Sequence, residues 1–186
     1  MSTTDESPGA SPRERPSARV VLVDDQERVL LARLIDDGAV VVDGQRPEST
    51  YWVTVGGGVE PGETLADAAH RELFEETGIR AFTLGPQVHL RRLPLTLRDE
   101  PIVAVEHYFA GWVSSAEASL DHLDPAERGV LVEHRWWSHA ELADPARTAT
   151  VYPRSIARVA ADAIAARRRH LEAMRDGTAH APPTTA

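Results

Sequence analysis

Apolar positions along this chain follow two rhythms: short β-branched runs, and two longer segments with helical spacing. Arg19-Val20-Val21-Leu22-Val23 is the first run, Asp24-Asp25-Gln26 supplies a turn, and Val29 to Leu34 reads as a second strand. Asp36-Asp37-Gly38 leads into Ala39-Val40-Val41-Val42, and after a polar loop over 43–49 Tyr51 to Val55 reads as another strand. Gly56, Gly57 and Gly58 then precede a helix that the pattern starts near Glu63 or Thr64 and that Gly78 stops as a left-handed cap.

In the second half, Phe82 to Leu93 and Pro101 to Val113 read as a hairpin around Arg98-Asp99-Glu100. Val130 to Trp137 is a further strand, and Ser138-His139-Ala140-Glu141 fits a capping box for a short helix. Ser155 to about Arg175 is a second long helix, with Ile156, Val159, Ala160, Ala163, Ile164 and Leu171 as its apolar stripe. Strands and helices in mixed order predict an α+β layered domain.

The ends read differently. Residues 1–17 are rich in Ser, Thr, Pro and acids and have little to bury, as have residues 175–186, so both are expected to be disordered tails around a single domain over 18–174. The 186 residues suffice for one full core. A net charge of -9 argues against a nucleic-acid polymer or a membrane surface as partner, because such binders carry a basic field. With no cysteine, thiolate catalysis and cysteine-bound zinc are excluded. No signal peptide or membrane-spanning run is apparent, and a cytoplasmic location is expected.

The sharpest signal lies between the glycines and Ile79. The chain reads Gly57, five residues, Glu63, seven residues, then Arg71-Glu72-Leu73-Phe74-Glu75-Glu76-Thr77-Gly78-Ile79. So many acids in one loop and helix repel one another unless a cation joins them. At helical spacing Glu72, Glu75 and Glu76 share an arc of roughly 100°. Leu65, Ala66, Ala69 and Leu73 fall on an adjacent side that can seat the helix, and Arg71 lies one turn before Glu75, within pairing reach. Carboxylate oxygens suit hard divalent cations, whose open positions take phosphate oxygens.

This run matches the Nudix box, G-x5-E-x7-R-E-U-x-E-E-x-G-U with U a bulky aliphatic, at every constrained position. The chain therefore resembles the Nudix hydrolases, of the MutT-like kind, which cleave diphosphate linkages with divalent metal help. The resemblance implies the Nudix fold, a mixed β-sheet sandwiched between α-helices. It implies Glu72, Glu75, Glu76 and the Gly56 carbonyl as ligands of Mg²⁺ (or Mn²⁺), Glu63 as an orienting group, and Arg71 as an organiser of the acids. Thr54-Val55 stands where many members carry a proline before the glycines, so the loop's shape is expected to differ.

The activity implied is hydrolysis of a nucleoside diphosphate derivative: a nucleoside triphosphate, a nucleotide sugar, ADP-ribose or a dinucleoside polyphosphate. The rival reading is a catalytically silent nucleotide sensor of the same fold. The general base is left open among Glu72, Glu76, Glu127 and Glu133, the last in a Glu-x-x-Trp spacing similar to the family's late acidic position; Glu106 is a further candidate. For the substrate, Arg33, which interrupts an apolar strand, and Trp52 are the leading candidates, with Arg91, Arg92, Arg98, Arg154, Tyr51, Trp112, Trp136 and Trp137 behind them. The resemblance also admits a homodimer.

Overall fold

The computed structural model describes residues 12–114, 117–123, 125 and 128–177. Its strands are β1 (Arg13–Val23), β2 (Val29–Ile35), β3 (Val40–Val41), β4 (Thr50–Gly58), β5 (Thr83–Leu97), β6 (Glu100–Trp112) and β7 (Leu131–Trp137); its helices are α1 (Leu65–Thr77), α2 (His139–Ala143) and α3 (Ile156–Arg175). They form one mixed seven-stranded sheet in the order β3-β5-β6-β1-β4-β2-β7. The β1–β6 pairing is parallel and the others are antiparallel. This is the α+β arrangement expected, with α1 against one core and α3 against another.

The apolar run of β1 explains the two layers. Side chains alternate across a strand, so Ala18, Val20 and Leu22 join Leu30, Val55, Ala68, Ala69 and Leu73 beneath α1. Val21 and Val23 join Tyr108, Trp137, Val159 and Ala163 beneath α3. A strand covered on both faces needs a continuous hydrophobic stretch rather than an alternating one.

Several boundaries differ from the sequence reading. β1 begins at Arg13, not near residue 18: its first residues pair in parallel with Ile102 to Val105 of β6, giving a polar segment hydrogen-bond partners that its composition does not advertise. β4 continues through all three glycines because they pair with Ser17, Ala18 and Arg19. The β5–β6 hairpin turns at Arg98 and Asp99, both at positive φ, as a tight two-residue connection requires. On α1 the seat is Ala68, Ala69 and Leu73 with Glu72 and Glu76; Ala66 is exposed and Leu65 only partly buried. On α3 Ala166 is buried, while Leu171 is only half-buried.

α1 is fixed at both ends. The Thr64 hydroxyl accepts from the Asp67 N–H at 3.1 Å while the Asp67 carboxylate accepts from the Thr64 N–H, a reciprocal cap. Gly78 closes the helix in the left-handed region. Full burial of Leu73 contributes about 2 kcal/mol toward holding the helix on the sheet. Among the described residues no helix is long and apolar enough to cross a membrane.

Candidate active site

The site is assembled where the last residues of β4 meet α1. Gly56 lies opposite Arg19 in the β1–β4 ladder at φ +127, and a β-carbon there would overlap the Ala18 carbonyl oxygen. Only glycine fits this close approach of two backbones. The Gly56 N–H donates to Glu76 Oε2 at 3.0 Å, so strand and helix are joined through one of the box acids.

Arg71 organises the remaining acids. Its Nε and one terminal nitrogen donate to the two Glu63 oxygens at 2.8 and 2.9 Å. The other terminal nitrogen donates to Glu72 at 2.8 Å and Glu75 at 3.0 Å, and the terminal nitrogen that binds Glu63 also donates to the Gly58 carbonyl at 2.9 Å. A guanidinium has five N–H groups, so its donor capacity is matched by these acceptors. Glu63 also accepts from the Glu60 N–H at 3.0 Å, which fixes the loop before α1. Its hydrogen bonds from Arg71 and Glu60 hold Glu63 below the ordinary carboxylate range. Glu63 in turn raises the proton affinity of Arg71, with Glu72 and Glu75 acting in the same direction.

Glu72 and Glu76 are 7% and 8% exposed, unusual for carboxylates on a helix. Burial pushes the Glu72 carboxyl up, outweighing the opposing pull of Arg71 and Arg19. Glu75 is more open to solvent.

A second charged group meets the first across β1. The Arg19 guanidinium donates to the Gly56 carbonyl and lies 3.7 Å from Glu106. Glu106, itself buried, accepts from Arg91 Nε at 2.5 Å and from the Tyr108 hydroxyl at 2.8 Å. Burial raises the Glu106 carboxyl, but Arg19 and Arg91 win and hold it below the ordinary range. Burial likewise opposes the Arg19 charge, and Glu106, Tyr108, Glu76 and Glu72 more than restore it.

Both groups border a cleft of about 550 Å³. Its polar wall includes Arg15, Arg19, Arg71, Glu72, Glu76 and Glu106, and its apolar wall includes Leu34, Tyr51, Leu95, Leu97, Ile102 and Leu131. Tyr51 and Gly56 lie five residues apart on β4, roughly 16 Å along an extended strand, enough for a phosphate chain and a nucleoside in succession.

Glu63, Arg71, Glu72, Glu75, Glu76 and the Gly56 carbonyl, singled out from the sequence, therefore come together. Arg33, Trp52 and Glu133 do not join them. Arg33 pairs with Glu133 at 3.0 Å and lies over the Trp52 ring, which packs edge-on against Trp137. None of the three lines the cleft. Glu127 lies outside the described residues. Arg92 pairs with Glu14, Arg154 donates to the Thr148 and Ala149 carbonyls, and Trp112 and Trp137 are core residues. Arg15 and Arg19 were missed; the signal was the alternation Arg13, Arg15, Ser17, Arg19, which puts polar groups on one face of an extended segment.

Among the described residues no three acidic or histidine side chains are grouped so as to enclose a metal ion; Glu63, Glu72 and Glu75 accept from Arg71 instead, and the Gly56 carbonyl accepts from Arg19. The donor set nevertheless fits a hard divalent cation. It offers carboxylate and carbonyl oxygens only, and two of the acids are buried at the edge of the cleft.

A family model described as the NUDIX domain matches residues 13–159. The chain is 33% identical over 144 residues to an RNA pyrophosphohydrolase of Novosphingobium aromaticivorans, covering 70% of this chain and 81% of that protein. It is 30% identical over 131 residues to an RNA pyrophosphohydrolase of Agrobacterium fabrum, covering 66% of this chain and 75% of that one. Its fold is similar to a solved NUDIX hydrolase from Nitrosomonas europaea, with TM-score 0.59 and 22% identity over 83% of this chain and 90% of that chain.

Proposed function

The chain belongs to the Nudix family and is a Nudix hydrolase, and from that premise we propose that it hydrolyses a diphosphate linkage in a small nucleotide derivative, with Mg²⁺ or Mn²⁺ as cofactor. The observation that carries this reading is the continuity of one cleft from the Arg71-gathered carboxylates to the apolar wall around Tyr51.

Glu72, Glu75, Glu76 and the Gly56 carbonyl would hold the metal, which when bound neutralises phosphate charge and polarises the reacting phosphoryl group. Arg71 keeps the acids in place through its hydrogen bonds, and Glu63 keeps Arg71 in place. Arg15 and Arg19 present guanidinium groups to phosphate oxygens. Tyr51, Leu34 and Leu131 offer a surface for the nucleoside. Water attacks one phosphorus, the bridging P–O bond breaks, and two phosphorylated fragments leave. The proton of the attacking water goes to a carboxylate that borders the cleft, Glu72 or Glu76, since Glu106 is taken up by Arg91, Arg19 and the Tyr108 hydroxyl.

Two relatives bear the name RNA pyrophosphohydrolase, so an RNA 5′ end is the competing substrate. The small nucleotide is favoured here by the net charge of -9 and by the pairing of Arg13 with Glu100 and of Arg92 with Glu14, which leaves these exposed cations already matched. The test is phosphate or nucleotide release from nucleoside triphosphates, nucleotide sugars, ADP-ribose, dinucleoside polyphosphates and a 5′-triphosphorylated oligonucleotide, in Mg²⁺ and in Mn²⁺. Wild type is run beside Glu76→Gln. Metal-dependent turnover of a small nucleotide that the variant loses is the expected result; faster turnover of the oligonucleotide would overturn the substrate assignment.

A further inference from the structure

The Gly56 carbonyl, assigned above to the metal, already has a cationic partner. Arg19 stands directly opposite Gly56 in the β1–β4 ladder, and its guanidinium turns back to donate to that carbonyl. The same guanidinium feels the charges of Glu72 and Glu76. A guanidinium and a divalent ion held by the same carbonyl oxygen repel one another strongly, which at a few ångströms in a partly buried site amounts to several kcal/mol. One of them must withdraw.

The structure also supplies the place to withdraw to. Glu106 lies 3.7 Å from Arg19 on the neighbouring strand, β6, in register with Ser17. It is buried and fixed by Arg91 and the Tyr108 hydroxyl, so it is a rigid anion rather than a mobile surface acid. Arg19 therefore lies between two anionic groups, the box on one side and Glu106 on the other, and the balance between them decides how strongly it holds the Gly56 carbonyl.

We propose that Arg19 is a built-in counter-cation of the carboxylate site, holding the Gly56 carbonyl until a divalent ion displaces it toward Glu106, and that this exchange sets the cation affinity of the substrate-free protein. The inference rests on the metal reading given above. Arg19 acts here as a positioning residue. Once displaced it stays in the polar wall of the cleft, where its charge is available to a phosphate.

The two sides of the balance give opposite signs, which a residue that merely supports the fold would not. The experiment is Mn²⁺ binding to the full, substrate-free chain, followed by the electron paramagnetic resonance signal of free Mn²⁺, with melting curves taken in chelator. Arg19→Met removes the competitor and should bind Mn²⁺ at least roughly tenfold more tightly, the effect of taking one like charge from within a few ångströms. The same variant should melt lower than wild type in chelator and recover when Mn²⁺ is added. Glu106→Gln removes the alternative anion, so Arg19 stays on Gly56 and Mn²⁺ binding should weaken several-fold. Should Arg19→Met not fold without metal, Glu106→Gln decides alone. Unchanged or weaker binding in Arg19→Met, or unchanged or tighter binding in Glu106→Gln, overturns the inference while wild-type binding leaves the metal site standing. Absence of Mn²⁺ binding in wild type and both variants overturns the metal site and this inference together.

Discussion

The Glu72 carboxylate occupies the space that a side chain on Gly57 would need: a β-carbon there would lie 2.5 Å from Glu72 Oε2 and 2.6 Å from the carboxyl carbon. Gly57 is outside the positive-φ region, so backbone strain is not at issue and the conflict is with the end of the Glu72 side chain alone. Gly57→Ala should push Glu72 aside, costing about 1–3 kcal/mol of stability. A displacement of about 1 Å at a reacting group costs on the order of 10²-fold in rate. The check is kcat beside a melting curve. A folded variant with wild-type kcat would show that the position of Glu72 is not critical.

Arg71 is predicted to be worth more than a single surface ion pair. It is the common donor to Glu63, Glu72, Glu75 and the Gly58 carbonyl, and Glu72 is nearly buried. Arg71→Ala leaves that acid without its principal donor and should destabilise the metal-free protein by about 3 kcal/mol. Arg71→Lys keeps a charge but loses the planar fork, and should lose about 2 kcal/mol. Denaturant titrations in chelator read both losses. Saturating Mg²⁺ should recover part of each, because a ligand bound only to the native state stabilises it. Equal stability of Arg71→Lys and wild type in chelator would contradict the role given to the fork geometry.

Glu133 has a motif spacing and a cross-strand partner, and the two suggest different roles. Its spacing before Trp136 matched a late acidic position, but the β2–β7 register sets it opposite Arg33, and the two side chains pair at 3.0 Å with both heads about 40% exposed. We expect Glu133→Gln to lose far less than the roughly 10²- to 10⁴-fold that removing a general base costs. Steady-state kcat across pH 6 to 9 checks this. A loss in that range would return Glu133 to the chemistry.

The box was legible because its chemistry is local. Glu63 through Glu76 lie within four turns of chain, so spacing alone places the acids together and Gly78 marks where they stop. Arg19, Glu106 and Tyr108 were not legible as a group, because the β6-β1-β4 order brings them to Gly56 across separations of dozens of residues. Arg33 interrupts an apolar strand, and only the β2–β7 register shows the cross-strand partner of opposite charge that it has in Glu133. The start of β1 was hidden for a related reason: residues 13–17 are held by pairing with β6, and pairing leaves no mark on composition.

Opposite pH signatures are predicted for Glu72 and Glu106, two of the buried acids that border the cleft. Burial raises the Glu72 carboxyl, so the native state keeps this proton more tightly than the unfolded chain. Stability from that source falls as pH rises from the ordinary carboxylate value through the raised native one, and the cost is then constant. In chelator, Glu72→Gln, which still offers Arg71 an oxygen, should therefore melt above wild type at pH 7, and the gain should vanish below pH 4.5, the ordinary glutamate value. Glu106 is held below that value, because Arg19 and Arg91 together outweigh its burial. Its contribution is fully present above the ordinary value and is lost as pH falls through the depressed native one. Glu106→Gln should therefore melt below wild type at pH 7, and the two curves should converge in acid. Melting temperatures of the three proteins from pH 3 to 8 test both signs at once. A Glu72→Gln protein less stable than wild type at neutral pH would mean that Arg71, rather than burial, dominates the environment of Glu72.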